Sequence, residues 1–347
     1  MIVVNNPGTW RAVHPPLLHA DWHGLTPTDV IFPFFLFIVG VAVPLALGPR
    51  REHTGRGPAL VRVAWRSAVI FALGLVLNAL WASDWSTLRI PGVLQRIAVC
   101  YLLAALLFLG ARWQTHALAA GALLVGYWLA MTLVPVPGHG AGDLGKEGNL
   151  AAYVDRLLLG RHLWRPARVY DPEGILSTAP ALATTLIGVL AGHWLRAGRP
   201  PATVTAGLAL AGALAVVGGW AWGLVFPINK ALWTSPYALL TAGLALLALA
   251  LCHWLVEMRG CRRWAWPFAV LGVNALAVFF LSGVAARLLV AVRVGPDDTR
   301  LQAWLFERLF APWAAPADAS LAYALVYLLL WWALVWALAR TGIRLRV

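Results

Sequence analysis

The sequence predicts an all-α fold, a polytopic bundle of transmembrane helices. Of its 347 residues, 61% are hydrophobic and only 12% are charged, and the mean hydropathy is +0.75. Soluble domains carry about 25% charged residues, so this composition argues against a soluble or a disordered chain. The apolar residues form runs of about 20, the length that crosses a bilayer core, and none alternates like a β-barrel strand.

Nine runs are long enough to be full spans. They lie at residues 28–48, 58–80, 92–110, 115–134, 176–195, 203–225, 232–256, 266–290 and 319–339. The N-terminal fragment Met1–Val4 is also apolar and leads directly into Asn5-Asn6-Pro7-Gly8. We interpret it as the last turn of a truncated first span, which would give ten spans in the complete protein; a short hydrophobic tag is the alternative. The prediction is a single transmembrane domain over residues 1–347.

The basic residues predict the orientation of the bundle. Alternate loops at 49–57, 111–114, 196–201, 257–264 and 340–347 are short and rich in arginine. The opposite set of loops holds as many acidic as basic residues. By the positive-inside rule, the arginine-rich set is cytoplasmic, as is the C-terminus, and residues 5–27 face the periplasm. The net charge of +13 is therefore mainly a topology signal, and we expect no nucleic-acid partner.

Two long outer loops, 135–175 and 291–318, are the places where extramembrane structure is expected. The first contains an amphipathic stretch, Tyr153–Leu159, which predicts a short helix at the membrane interface. The three cysteines form no CxxC pair, and those in apolar runs are expected to be small core residues.

Polar residues are densest just before the 28–48 span. Within sixteen residues lie His14, His19, Asp21, His23 and Asp29. Their spacing matches no standard zinc pattern, so we expect no metal. A histidine near an aspartate suits general-base or nucleophilic chemistry, and a histidine merely hydrogen-bonded in a loop is the alternative. For Asp29, a role at the helix start and a role in function stay open.

Further polar residues recur at or inside the other spans. They are Arg62, Arg66, Asn78, Arg89, Gln95, Arg96, Asp171, Glu173, Asn229, Lys230 and Asn274. Polar groups in lipid are costly, so their number predicts a polar cavity within the bundle. Its cations would suit a phosphate or pyrophosphate group. The alternative is a set of ion pairs that tie helix ends together.

Several ordered motifs resemble one known family. The motifs are Asn5-Asn6-Pro7-Gly8, His19-Ala20-Asp21-Trp22-His23-Gly24-Leu25-Thr26-Pro27-Thr28-Asp29, Arg89-Ile90-Pro91-Gly92-Val93-Leu94-Gln95-Arg96, Tyr170-Asp171-Pro172-Glu173-Gly174 and Asn229-Lys230-Ala231-Leu232-Trp233-Thr234. Together they resemble the heparan-α-glucosaminide N-acetyltransferase family, in its bacterial form, which lacks the extra lumenal domain of the lysosomal members.

The resemblance implies a transmembrane acetyltransferase of the bacterial inner membrane. Such an enzyme moves acetyl from cytoplasmic acetyl-CoA to the amine of a glucosamine-type sugar on the far side, and the family implies a homodimer in membrane lipid. The family's active histidine maps onto His19, its asparagine onto Asn5 and its acid onto Asp29. No role in the family's reaction is assigned to His23.

The chemistry of these side chains agrees with that assignment. Neutral His19 can act as nucleophile or general base, Asp29 can fix its tautomer, and Asn5 can donate to a developing oxyanion. The expected contacts to acetyl-CoA are Arg62, Arg66, Asn229, Lys230 and Asn274. The expected contacts to the sugar are Trp22, Asp171, Glu173 and Trp233.

Two other functions remain open from the sequence. A permease for N-acetylglucosamine-type sugars would use the same polar cavity and the same outward loop. An acyltransferase acting on another envelope glycan would use the same catalytic residues.

Overall fold

The computed structural model describes residues 1–82 and 84–341. Its α-helices are α1 (Ile2–Asn5), α2 (Ile31–Thr54), α3 (Arg56–Ala79), α4 (Val93–Gly110), α5 (Trp113–Leu133), α6 (Leu150–Leu159), α7 (Thr178–Leu195), α8 (Pro201–Trp222), α9 (Ser235–His253), α10 (Trp266–Val273), α11 (Ala275–Ala291), α12 (Leu301–Leu309) and α13 (Pro316–Arg340). Two short antiparallel strands, β1 (Arg293–Val294) and β2 (Thr299–Arg300), form a hairpin. Arg344 and Arg346 lie outside the described residues, as do the side chains of Arg50 and Arg51.

The predicted helical bundle is confirmed. In the described part of the chain, eight helices are long and apolar enough to cross a membrane, and α10 with α11 would make a ninth. That pair differs from the straight span predicted at 266–290, because it bends by 64° at Asn274. The Asn274 side chain donates to the carbonyl of Val270 (3.3 Å), and asparagine favours such local bonds over a helix interior.

The N-terminal fragment has the helical conformation expected of it. Residues Ile2–Asn5 form one helical turn, and the Asn6 side chain donates to the carbonyl of Ile2 (2.8 Å). The tenth span stays a prediction.

The chain divides into two compact units. Unit 1 contains Met1–His19, Thr26–Thr28 and the described residues from Arg262 onward. Unit 2 contains Ala20–Leu25 and Asp29–Cys261. The single domain over 1–347 therefore stays a prediction, and each unit is described by itself.

Unit 2 is held together by close helix crossings at small residues. In α2 and α7, Gly40 and Gly188 lie so close that a Cβ on either would collide with the backbone of the other helix. The glycines of α8 and α9 make a similar crossing at Gly212 and Gly243. Without a hydrophobic force between helices in lipid, such small-residue contacts supply van der Waals packing.

The crossings also give helix direction. Phe37 meets Gly188 and Val41 meets Gly192, so α2 and α7 run parallel. Asn78, near the end of α3, donates to the carbonyl of Pro91 just before α4 (2.9 Å), so α3 and α4 are antiparallel.

The beginnings of α2, α4, α7 and α9 meet at one end of unit 2. Tyr237 of α9 donates to the carbonyl of Asp29 before α2 (2.7 Å), and Arg96 of α4 bonds Ser177 before α7. The arginine-rich loops around Arg112 and Arg196 follow the far ends of α4 and α7 and so lie at the opposite end.

Unit 1 packs α13 against α10, α11 and the N-terminal segment. Tyr327 of α13 donates to the carbonyl of Ser282 in α11 (2.7 Å), and Trp332 donates to the carbonyl of Pro267 in α10 (3.1 Å). The Asn5–Gly8 loop is anchored here as well, because the Gln302 side chain donates to the carbonyl of Gly8 (2.6 Å).

Candidate functional site

Six charged side chains meet where α2, α4, α7 and α9 of unit 2 begin. We call them the charged cluster: Asp29, Arg89, Arg96, Asp171, Glu173 and Lys230. Asp29, Arg96 and Asp171 are at most 2% exposed. Buried charges persist only when paired and hydrogen-bonded, so the contacts within this cluster decide what it can do.

Arg89 binds two carboxylates of the loop before α7. Its Nε donates to Asp171 Oδ2 (2.9 Å) and its Nη2 to Asp171 Oδ1 (2.5 Å), and Nη2 also bonds Glu173. Burial opposes the charge on Arg89, but Glu173 and Asp171 outweigh it and raise its pKa. Burial likewise opposes ionisation of Glu173, but Arg89, Arg96 and Lys230 outweigh it and lower its pKa. The pair therefore stays ionised.

Both carboxylate oxygens of Asp171 accept hydrogen bonds from groups of the protein. Besides Arg89, its Oδ1 accepts the N–H of Glu173 (2.9 Å), and its side chain has no exposed surface. The structure thus places this predicted sugar-binding residue where it orients the loop 171–174, while neighbouring Glu173 keeps 10% of its side chain exposed.

Asp155 is a buried carboxylate that the sequence reasoning missed. It lies on α6, 1% exposed, and accepts the N–H groups of Ile175 (2.9 Å) and Asp171 (3.3 Å). Burial raises its pKa to about 6, against the effect of these hydrogen bonds. The predicted α6 helix is confirmed, with Leu157 and Leu158 exposed and Asp155 turned inward. Its position on the same face as buried Ala151 and Ala152 was the available signal.

A tight turn before α9 presents Lys230. The buried Asn229 side chain accepts the N–H of Leu232 (2.9 Å), and Thr234 Oγ1 accepts the N–H of Asn229 (3.0 Å). Trp233 in this turn has φ of 50°, a left-handed conformation that is uncommon outside glycine. Such strain persists only where the surroundings impose it, and it clusters at functional sites.

Lys230 faces the carboxylates of the cluster. Its Nζ lies 3.9 Å from Asp29 Oδ1, and 21% of its side chain is exposed. Burial lowers the pKa of Lys230, although Glu173 and Asp29 act to raise it. This lysine is therefore a weaker cation than an exposed one and is easier to deprotonate.

Trp233 is part of the core rather than the surface. It is 1% exposed, and its Nε1 donates to Thr184 Oγ1 (3.2 Å). Phe32 packs edge-on against its ring with centroids 5.1 Å apart, and the Arg96 guanidinium lies 5.2 Å from its centroid. Trp233, a predicted sugar contact, is therefore buried, and the Arg96 guanidinium lies over its ring.

Asp29 orders the segment that follows His19. Its Oδ2 accepts the N–H of Ala20 (3.2 Å), and the residue that flanks the start of α2 is Val30. Asp29 belongs to unit 2, whereas His19 and Asn5 are exposed residues of unit 1. The catalytic roles of these three residues stay predictions.

Trp22 forms an aromatic pair with Tyr170. The Trp22 Nε1 donates to the carbonyl of Leu144 (2.9 Å), and the two rings meet edge-on with centroids 5.0 Å apart. Both rings are half-buried, beside the charged loop. Tyr170 is a second residue that the sequence reasoning did not assign to the site, although it is the first residue of the Tyr170–Gly174 motif.

His23 contacts the turn that carries Lys230. Its Nδ1 lies 3.3 Å from Asn229 Nδ2, and burial lowers its pKa. A neutral imidazole can accept that amide hydrogen, so His23 supports the turn.

The remaining predicted acetyl-CoA contacts lie elsewhere. Arg62 and Arg66 are exposed on α3, and Arg66 lies 5.3 Å from the ring centroid of Tyr101. At the rise of an α-helix, they lie about 20 Å from Asn78 at the cluster end. Asn274 is at the bend of α10 and α11 in unit 1. Within the described residues, no group of three or more potential ligands could hold a metal ion.

Comparison of the sequence with known proteins identifies a matching family and similar curated proteins. Residues 7–146 match a family described as a domain of unknown function, DUF5009. Heparan-alpha-glucosaminide N-acetyltransferase from Homo sapiens is 31% identical over 323 residues, covering 75% of this chain and 48% of the relative. The protein of the same name from Mus musculus is 30% identical over 321 residues, with the same coverage. The chain spans about half the length of these relatives. The resemblance predicted from the motifs is confirmed: over 75% of its length, the chain is similar to proteins named heparan-alpha-glucosaminide N-acetyltransferase.

Proposed function

We propose that the protein is a membrane acetyltransferase. It would move acetyl from cytoplasmic acetyl-CoA to the amine of a glucosamine-type sugar on the periplasmic side. The observation that carries this proposal is the charged cluster, which brings together residues from four of the recognised motifs at one end of unit 2. Polar groups in a membrane bundle are functional candidates by default, and the named activity of the relatives gives their chemical class.

The proposed reaction needs a base and a path for the acetyl group. The sugar ammonium loses a proton, its nitrogen bonds to the acetyl carbon, and the carbon–sulfur bond breaks. The thiolate leaves with the bonding electron pair and is protonated to the free thiol. His19 serves either as the base for the ammonium or as the nucleophile that carries the acetyl group, and Asn5 donates to the oxyanion.

Asp29 and Lys230 support this chemistry from unit 2. Asp29 holds the N–H of Ala20, the residue after His19, and so restrains the backbone beside the proposed base. As a carboxylate it would stabilise an imidazolium at His19. Lys230 pairs with Asp29, with 3.9 Å between its Nζ and Asp29 Oδ1.

The sugar would contact the aromatic pair and the exposed edge of the cluster. Trp22 and Tyr170 offer the ring faces and edges that sugar C–H groups pack against, and Glu173 offers a carboxylate on a side chain that is 10% exposed. We assign Asp171 to positioning, because Arg89 and the N–H of Glu173 occupy its oxygens.

The cosubstrate would run along the bundle. Its nucleotide phosphates would bind Arg62 and Arg66 near the arginine-rich end, and its acetyl end would reach the cluster end, where Lys230 lies. This arrangement suits an elongated molecule supplied from the cytoplasm. It agrees with the C-terminus in the cytoplasm that the arginine-rich loops predict. The bacterial inner membrane and a homodimer are proposed from the family resemblance alone.

The direct test is turnover by purified protein. With acetyl-CoA and glucosamine it should release free CoA and form N-acetylglucosamine, and His19→Ala should abolish both. His139→Ala is the matched control, because this histidine lies in the loop at 135–175, outside the charged cluster, and pairs with half-buried Asp143 (3.4 Å). Absence of CoA release with every amino sugar tried would contradict the proposal.

Two measurements separate the alternatives. Uptake of labelled N-acetylglucosamine into vesicles without acetyl-CoA would favour a permease instead. Acetylation of an envelope glycan, but not of glucosamine, would change the acceptor while keeping the reaction.

A further inference from the structure

Arg96 is a buried cation that makes two hydrogen bonds with the five N–H donors of its guanidinium. It lies in the first turn of α4 and is 2% exposed. Its Nη2 donates to the carbonyl of Gly174 (3.0 Å) and to Ser177 Oγ (2.5 Å). Its Nε and Nη1 atoms are buried and have no hydrogen-bond partner among the described residues. Leaving such donors unpaired is costly, and an unsatisfied buried group often marks a missing ligand or water.

The surroundings hold this guanidinium in place. Its flat face lies over the Trp233 ring, 5.2 Å from the centroid, and Trp233 is itself fixed by Thr184. The side chain therefore cannot turn toward solvent without losing both the ring contact and the bonds to the loop before α7. Its unpartnered N–H groups are therefore held in fixed positions, unlike those of an arginine that moves freely at the surface.

The charge balance around Arg96 indicates what these donors would bind. The cluster has three cations, Arg89, Arg96 and Lys230, and three carboxylates, on Asp29, Asp171 and Glu173. The buried carboxyl of Asp155 also interacts with Arg96 and Asp171, so the site has no excess of positive charge. An incoming phosphate would add uncompensated negative charge to this buried site, which is unfavourable. An uncharged oxygen that accepts hydrogen bonds would satisfy Arg96 without disturbing that balance.

We propose that Arg96 binds the carbonyl oxygen of the acetyl group through its free Nε and Nη1 donors. This inference rests on the proposed function and names a contact for the group that is transferred. The carbonyl could come from the thioester of the cosubstrate or from the acetamide of the product. In either case Arg96 would be a catalytic residue, because negative charge grows on that oxygen when the acetyl carbon is attacked.

The test compares ligands that have a carbonyl with similar ligands that lack it. Acetonyl-CoA has a ketone carbonyl and cannot transfer acetyl, and propyl-CoA has a CH2 group in place of that carbonyl. N-acetylglucosamine and glucose form the second pair, for the product. We expect wild-type protein in detergent to bind the carbonyl member of at least one pair about tenfold more tightly, as suits a hydrogen bond to a charged donor.

Variants then assign that preference to Arg96. Arg96→Lys keeps the positive charge but loses the planar set of donors, and we expect the preference to fall below about twofold while affinity for free CoA is kept. Arg308→Lys is the matched control: this exposed arginine also lies over a tryptophan, 5.6 Å from the Trp304 ring centroid, and its variant should keep the full preference.

Each outcome decides the proposal. Equal binding of both members of both pairs by wild-type protein would overturn it, even if Arg96→Lys did not fold. Full retention of the preference in a folded Arg96→Lys variant would overturn it as well. Because the readout is binding, a wild-type protein that prefers the carbonyl ligand yet releases no CoA would contradict the acetyltransferase function and leave the Arg96 site standing.

Discussion

The ion pairs of unit 2 and unit 1 have similar distances but very different surroundings. In unit 2, Arg89 and Asp171 pair at 2.5 Å, with 21% and 0% of their side chains exposed. In unit 1, His14 and Asp318 pair at 2.9 Å, with 39% and 62% exposed. Arg293 and Asp298 of the unit 1 hairpin are 3.9 Å apart and still more exposed.

This difference shows that burial, rather than distance, sets the consequence of breaking a pair. Exposed pairs contribute about 0–1 kcal/mol, because water and salt screen them. Removing one member of a buried pair strands the other charge in a poorly solvated place. The buried pairs are also those that order the motifs of the candidate site, so their loss would disturb function and stability together.

The largest effect is expected for Arg89→Ala. It would leave Asp171 and Glu173 as adjacent buried carboxylates without their main partner, at a cost of about 3–5 kcal/mol. Thermal unfolding in detergent measures the loss, with Arg293→Ala as the matched control. Equal shifts in Tm for the two variants would show that burial does not separate these pairs.

The next effect is expected for Gly174→Ala. A Cβ at this position would collide with the Asp155 carboxylate, which holds the loop before α7. We expect a destabilisation of about 1–3 kcal/mol, as for overpacking in a core, together with reduced acetyl transfer. Gly121→Ala on α5 is the control, because nothing lies within 4 Å of its added Cβ. A Gly174→Ala variant as stable as this control would refute the close contact.

A pH effect is expected from Asp155. Its pKa is about 6 in the folded protein against an ordinary 3.8, so folding favours its protonated form. Its contribution is fully present below about pH 4 and is lost as pH rises to about 6, a decline of roughly 2–3 kcal/mol.

The measurement compares wild type with Asp155→Asn, which cannot ionise. The stability of wild type relative to this variant should fall between pH 4 and 6. A difference that is constant or rises over this range would contradict the pKa shift.

The smallest effect is expected for Asp318→Asn. Its pair with His14 is exposed, so the free energy of unfolding should change by no more than about 0.5 kcal/mol, and salt should reduce the change further. Unfolding at two salt concentrations measures it. A loss as large as that of Arg89→Ala would mean that unit 1 depends on this pair in a way its exposure does not explain.

Much of the fold was predictable because the signals are local. A run of apolar residues identifies a span regardless of its neighbours, so the sequence predicted the helical bundle, and the amphipathic stretch predicted α6. The bend at Asn274 was missed, since hydropathy averages over a window and does not register one local side-chain bond. The motifs also identified Asn229, Lys230 and Glu173 as site candidates before their contacts were known.

The sequence by itself determined the class of protein, the positions of its spans and the residue types that are candidates for the functional site. Only the tertiary structure decided how these residues are used. It paired Arg89 with carboxylates more than eighty residues away, turned Asp155 inward and buried Trp233 beneath Arg96. It also left two Arg96 nitrogens without a hydrogen-bond partner among the residues that the structure describes. The reason is physical: hydropathy belongs to a segment, whereas the partner and burial of a charge depend on helices that are distant in the chain.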